Sequence, residues 1–305
     1  MILCIGTTPT LQRTMKFDRL TPDDVNRAAA VHEHASGKAV NVARVLHTLG
    51  EHASALGFAG GRRGDALLED LARSQVPHDF VPTHRQTRLC TTLIDRATSQ
   101  VTELVEEPPP ASQQEWSQLI TTIERHLPAA TTLVLSGTLA PGAPKDFLAR
   151  WISPGRRTVV DAKGPHLRLA LQQRGCIAKL NQQELSQTLG RTIDSGSTLL
   201  ALARQHTPTD GLMIVTQGPR GALATDGRHA YRAHPAPITP LSPIGSGDAF
   251  AAGLAAALTR GQDLPAALQL ATACAAANAL SPYSGVLTKP DVDRLLPEVR
   301  IEPIA

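Results

Sequence analysis

The sequence predicts an α/β protein, with a mostly parallel central sheet covered by helices on both faces and a small second sheet projecting from it. Two observations predict the main sheet. Short apolar runs recur along the chain, each followed by a polar or helical stretch, and the helical stretches carry their apolar residues at helical spacing. Strand–helix units repeated in this way bury their strands on both faces. The third observation concerns segments of about 11–34 and 89–107, which read as extended, more polar and poor in helix signals. They suit a projecting lid or dimer surface, or a pair of edge strands.

In order, Ile2 to Thr7 is apolar throughout and reads as the first strand. "HASGKAVNVARVLHTLG" places Ala39, Val42, Ala43, Leu46 and Leu49 at helical spacing, and Gly50 closes that helix. "ASALGFAG" reads as a strand and Asp65 to Ser74 as an amphipathic helix. "RLCTTLID" and "QVTELVEE", separated by "RATS", have the pattern of a hairpin. The strand alternation resumes with "TTLVLSG", "RTVVDA", "CIAKL" and "LMIVTQG", and the chain from Gly247 to about Leu296 reads as largely helical. No repeat or linker divides it, so residues 1–305 are expected to form one domain.

Composition excludes several classes. A net charge of +3 with no run of Lys or Arg argues against a nucleic-acid partner. No segment approaches bilayer length, and "MILCIGTTPT" lacks the basic start of a signal peptide, so a cytoplasmic location is expected. Cys4, Cys90, Cys176 and Cys274 lie too far apart for a CxxC pair and read as buried thiols. His32 and His34 fall on one face of a strand with no third ligand near in sequence, which reads as a surface pair rather than a metal site.

The most informative stretch is "SPIGSGDAFAAGLAAAL". A proline and two glycines precede Asp248, and an alanine-rich helix follows. Free amides at a helix start, here from Gly245, Ser246, Gly247 and Asp248, attract anions. A carboxylate beside them can take a proton from an attacking hydroxyl while the amides hold a phosphoryl group. The plainer alternative is an acidic residue placed favourably in a first turn. "SGKAVN" opens another helix with Gly37, Lys38 and Asn41, a point cation followed by an amide. Two such turns suit a two-substrate site at the C-terminal edge of a sheet.

Together "GKAVN" and "PIGSGDAFAAG" resemble the ribokinase-like (phosphofructokinase B) sugar kinases. "TRLCTTLI", "LSGTLAPG", "KLNQQEL" and "VTQGPRGAL" resemble intermediate landmarks of that family in the same order, so the resemblance covers nearly the whole chain. "VNVARVLHTLG" and "TRLC" are most similar to its 1-phosphofructokinase and tagatose-6-phosphate kinase branch. The resemblance implies a three-layer α/β/α fold with a small β lid, ATP and Mg²⁺ as cofactors, and a homodimer formed through the lid. It implies that Asp248 is the general base and that the amides of Gly245, Ser246 and Gly247 hold the transferred phosphoryl group. Lys179 and Asn181 would approach the nucleotide phosphates, with Glu184 holding Mg²⁺ through water. Thr216, Gly218 and Gly221 would surround the nucleotide, with Asn278 near the adenine. Gly37, Lys38, Asn41, Arg88 and Ser136 would contact the sugar or its phosphate, and Arg27 would join them from the lid of a second copy.

Departures from the pattern fall mainly on the acceptor side. The family's first strand is usually followed by Asn-Pro-x-x-Asp, whose Asp accepts hydrogen bonds from sugar hydroxyls; here "TPTLQR" puts Gln12 at that place. An amide loses the charge-assisted strength of a carboxylate and adds a donor. Leu180 also replaces a usual proline, and Gln217 a small or apolar residue. The reading is therefore an ATP-dependent kinase for fructose 1-phosphate, fructose 6-phosphate or tagatose 6-phosphate. The alternatives are a low-turnover nucleotide and sugar sensor, motivated by Gln12, and a kinase of a free sugar or nucleoside.

Overall fold

The structure, a computed structural model, describes residues 1–304. The chain opens with β1 (Ile2–Ile5), β2 (Thr10–Phe17), β3 (Ala30–Ser36), α1 (Lys38–Thr48), β4 (Ala53–Ala59), α2 (Gly61–Arg73) and β5 (His78–Pro82). It continues through β6 (Arg88–Asp95), β7 (Gln100–Val105), α3 (Gln113–His126), β8 (Thr132–Ser136), β9 (Arg157–Asp161), α4 (Gly164–Leu171), β10 (Cys176–Asn181) and α5 (Gln182–Leu189). It ends with α6 (Gly196–Gln205), β11 (Leu212–Thr216), β12 (Ala222–Thr225), β13 (Ala230–His234), α7 (Ser246–Thr259), α8 (Leu264–Ala279), α9 (Lys289–Leu295) and β14 (Arg300–Ile304).

Ten strands form the main sheet in the order β14-β13-β12-β11-β10-β9-β8-β1-β4-β5. The pairings from β11 through β5 are parallel, and β12 to β14 extend the sheet antiparallel. The two-residue alternation of β1 shows why three layers form. Ile2 and Cys4 pack into one core with residues of α1, α7 and α8, whereas Leu3 and Ile5 pack into the other with Trp116, Leu119 and Ile123 of α3. The strand order reverses at β1, between β4 and β8, and a crevice beyond the C-terminal strand ends is where such sheets bind ligands.

The remaining strands form a second sheet, β3-β2-β6-β7. Its residues alternate between two faces. Thr10, Gln12, Arg88, Cys90, Glu103 and Val105 face the crevice, while Leu11 and Phe17, on the other face, are buried.

Some boundaries and one strand differ from the sequence reading. The helix expected at Asp65 to Ser74 starts at Gly61, ahead of its apolar residues. β14, carrying the polar and helix-poor "RIEPI", forms because β13 offers it an open edge. His34 is 4% exposed, so the expected surface pair is half wrong: His32 is exposed, whereas His34, one step further along the same face of β3, is buried beside Ser284. Among the described residues no group of three or more His, Cys, Asp or Glu side chains is placed to hold a metal, and no helix is long and apolar enough to cross a membrane. All four cysteines are buried and unpaired.

Helices α7 and α8 pack through alanines, close enough that a Cβ on Gly253 would lie 2.8 Å from Ala271 Cα and 2.9 Å from Leu270 O. Gly253→Val should therefore destabilise the protein by about 1–3 kcal/mol through overpacking. Urea unfolding measures it; an unchanged midpoint would contradict this account of the α7–α8 contact.

Candidate active site

The turn before α7 is built around Gly245. Its φ of 84° is left-handed, and a Cβ there would sit 2.7 Å from Gly285 N and 2.8 Å from Ser284 Cα, so a side chain is doubly excluded. Asn278, fully buried on α8, braces the turn from beneath. Its Nδ2 donates to Ile244 O at 2.9 Å and to Ser246 Oγ at 3.3 Å, and its Oδ1 accepts the Gly285 N–H at 2.9 Å. The Ser246 N–H donates to Pro243 O at 3.2 Å. Among the described residues, the N–H groups of Gly245 and Gly247 have no acceptor and remain for an anion.

Asp248, 7% exposed, follows directly and accepts a hydrogen bond from Asn41 Nδ2 at 2.7 Å. Burial pushes its carboxyl up to about 6; Lys38 opposes the rise and the negative charge of Asp161 adds to it. Asp161 ends β9 fully buried, with Lys38 Nζ at 2.7 Å and Lys179 Nζ at 2.6 Å. Burial alone would raise its carboxyl, but the two lysines outweigh it and hold the group at about 2. For Lys38, burial works toward the neutral amine, but Asp161, Glu184 and Asp248 prevail and its pKa is raised. Lys38 Nζ lies 3.6 Å from Glu184 Oε1, and Lys179 Nζ sits where a Cβ on Gly247 would come within 3.1 Å.

These groups converge on a cavity of about 820 Å³. Asn181 and Glu184 line it and also start α5 as a capping box: Asn181 Oδ1 accepts the Glu184 N–H, and Glu184 Oε2 accepts the Asn181 N–H, each at 2.8 Å. Thr216, Gly218 and Gly221 line the same side, continuous with an apolar slot between Pro237 and Ile238 and the α8 residues Ala275, Ala276 and Ala279. Gly37, Lys38, Asn41, Gln12 and Arg88 line the side beneath the small sheet. A more open groove of about 930 Å³ at the N-terminal ends of β9 to β11 holds none of these groups.

Three expected site residues are placed elsewhere. Asn278 does not line the cavity, because both ends of its amide are spent on the turn. Ser136 stands opposite Asp161 at the end of β8, its buried hydroxyl without a partner, and is also outside the lining. Arg27 is exposed on the loop between β2 and β3, away from the cavity of its own chain. The Ser246 amide, turned to Pro243 O, is not free for an anion. Sequence reasoning missed Asp161, whose signal was an acidic residue ending the apolar strand "RTVVD", and Glu103, which faces the cavity from β7.

Gln12 and Arg88 are both tied down. Gln12, 2% exposed, donates from Nε2 to Thr92 Oγ1 at 2.8 Å, which commits its added donor to the sheet. Arg88 donates from Nη2 to Thr8 O at 2.9 Å and from Nη1 to Glu106 O at 3.2 Å, and its buried Nε has no partner.

Residues 1–290 match the family model of the pfkB family carbohydrate kinases. The chain belongs to that family. The kinase is also similar to phosphofructokinase-2 from Escherichia coli, solved in complex with substrates and products, at 26% identity and a TM-score of 0.89, covering 97% of this chain and 98% of that one. A possible 1-phosphofructokinase from Thermotoga maritima shares the fold at 18% identity and a TM-score of 0.91, with both chains covered in full. A carbohydrate kinase from Agrobacterium tumefaciens shares it at 22% identity and a TM-score of 0.72, with 99% of each chain covered.

The raised carboxyl of Asp248 has a consequence for stability. A carboxyl held above its unfolded value of 3.8 penalises folding once ionised, so stability falls as pH rises from about 4 to about 6. Asp248→Asn should be more stable than the parent at pH 7.5, by up to about 3 kcal/mol, and equal to it near pH 4. Urea unfolding at both values checks this; equal stability at pH 7.5 would contradict the buried, penalised carboxylate.

Proposed function

We propose that this carbohydrate kinase transfers the γ-phosphoryl group of ATP to a hydroxyl of a sugar phosphate, with Asp248 as general base. The observation that carries this is a buried carboxylate with its pKa near 6, one residue past two free amides and close to two paired lysines. A base of that pKa is ionised at neutral pH yet accepts a proton readily. Asp248 takes the hydroxyl proton as the acceptor oxygen bonds to the γ-phosphorus. The bond from that phosphorus to the β–γ bridging oxygen breaks, and ADP leaves. The Gly245 and Gly247 amides and the Lys179 ammonium hold the charge of the transferring group.

Lys179, Asn181, Thr216, Gly218 and Gly221 suit the nucleotide, and the apolar slot against α8 suits its base. Mg²⁺ keeps most of its waters and takes one or two carboxylates with substrate phosphates. Glu184, the cavity-lining carboxylate beside Asn181, fits that demand. Bound there, the ion would neutralise phosphate charge.

On the acceptor side, Gly37, Lys38, Asn41, Arg88 and Gln12 form the sugar-phosphate end. Glu103 supplies there the carboxylate that Gln12 does not. E. coli phosphofructokinase-2 has been solved with fructose-6-phosphate, which favours fructose 1-phosphate, fructose 6-phosphate or tagatose 6-phosphate as the acceptor class. A second reading, a free-sugar kinase, is favoured by the backbone carbonyls that take one N–H from each terminal nitrogen of Arg88 and hold it against the sheet. We place two copies together through the small sheet, whose Val31 and Leu104 are 56% and 54% exposed on the face turned from the cavity. Arg27 on the adjoining loop then reaches the second copy, and four reduced cysteines suit a cytoplasmic location.

Coupled ADP release with MgATP over sugars, those three sugar phosphates and nucleosides tests the proposal. One phosphosugar should support turnover, and Asp248→Asn should lower kcat by about a thousandfold; silence across the panel with ATP bound would favour a sensor instead. Arg88→Ala should weaken phosphosugar affinity by about 1.5–3 kcal/mol. An unchanged KM would favour the free-sugar reading.

A further inference from the structure

A chain of buried hydrogen bonds runs from the small sheet to Asp248. Ser36, 2% exposed at the end of β3, has its Oγ 3.0 Å from Asn41 Oδ1 and 2.9 Å from Ser284 Oγ. His34, on the same face of β3, puts Nε2 3.4 Å from Ser284 Oγ and leaves Nδ1 buried with no partner. Beyond Asn41, its Nδ2 donates to Asp248 Oδ2.

With Asn41 Nδ2 donating to the acceptor-only carboxylate of Asp248, the direction of the chain follows. The Ser36 hydroxyl has one hydrogen, and Asn41 Oδ1 can only accept, so that hydrogen goes to Asn41. Ser284 must then donate to Ser36 and accept from His34 Nε2–H. A neutral imidazole protonated at Nε2 is bare at Nδ1, and Nδ1 is the ring atom without a partner. Burial, aided by the positive charges of Arg44 and His32 and opposed by Asp70, keeps His34 uncharged, its pKa lowered to about 3.

We propose that Ser36 is a positioning residue for the base: its hydroxyl fixes the Asn41 amide with the NH₂ end toward Asp248, and Ser284 and His34 fix the direction of that hydroxyl. The proposal rests on Asp248 being the base. With the amide reversed, Oδ1 would face a carboxylate oxygen, which removes a donor from the base and sets two acceptors together. Because Ser36 and His34 both belong to β3, the setting of the base is tied to the placement of the small sheet.

The test compares wild type, Ser36→Ala, Ser36→Thr, Ser284→Ala, Asn41→Ala and the Ser36→Ala/Asn41→Ala double variant, with Asp248→Asn as control. ADP release is measured at saturating MgATP with the best acceptor among the three sugar phosphates named above. Ser36→Ala should lower kcat about tenfold with the acceptor KM within about twofold, and Ser284→Ala should show the same split to a smaller extent. Ser36→Thr, which keeps the hydroxyl, should recover most of the loss. The double variant should be no slower than Asn41→Ala alone, since the effect passes through that amide. Wild-type kcat in both serine-to-alanine variants, a loss confined to KM, or losses that multiply with Asn41→Ala would overturn the proposal. Full turnover by Asp248→Asn would instead remove the base reading beneath it.

Discussion

The charges of the site are organised by one buried carboxylate. Asp161 takes Lys38 on one oxygen and Lys179 on the other. Two ammonium groups placed side by side would repel each other if they stood alone. Asp161 fixes both side chains and helps keep Lys38 charged, with Lys179 beneath the α7 turn. The same charge also adds to the burial that raises Asp248, so one group holds the two lysines and shifts the neighbouring carboxyl.

The main sheet and its two covering layers were legible because strand and helix periodicities alternate over most of the chain. β1 is the plainest case, its four residues dividing two by two between opposite cores. β14 was not legible: nothing in "RIEPI" marks a strand, and it depends on the free edge of β13. In the site, Asp248 and Lys38 could be found because glycines announce a backbone that must come close to something. Asp161 carries no such flag, and its importance appears only when β9 is laid beside β10 and α1. Asn278 shows a different use of a polar side chain. The resemblance implies a place near the adenine for it, whereas its amide partners are the backbone of the turn.

Gln12 also changes meaning once placed. In sequence it is a lost carboxylate with a surplus donor; in the fold that donor is bound to Thr92. The small sheet brings Glu103 to the same face, so a carboxyl lines that side of the cavity from another strand. That neighbour is set by topology, which spacing along the chain does not reveal.

The most direct test is the pH dependence of kcat/KM for the phosphosugar at saturating MgATP, which reports the base in the enzyme before the acceptor binds. The account predicts a single acid limb, with activity falling as pH drops through about 6, where buried Asp248 takes up its proton. A profile flat down to about pH 4, where an ordinary exposed aspartate titrates, would contradict it.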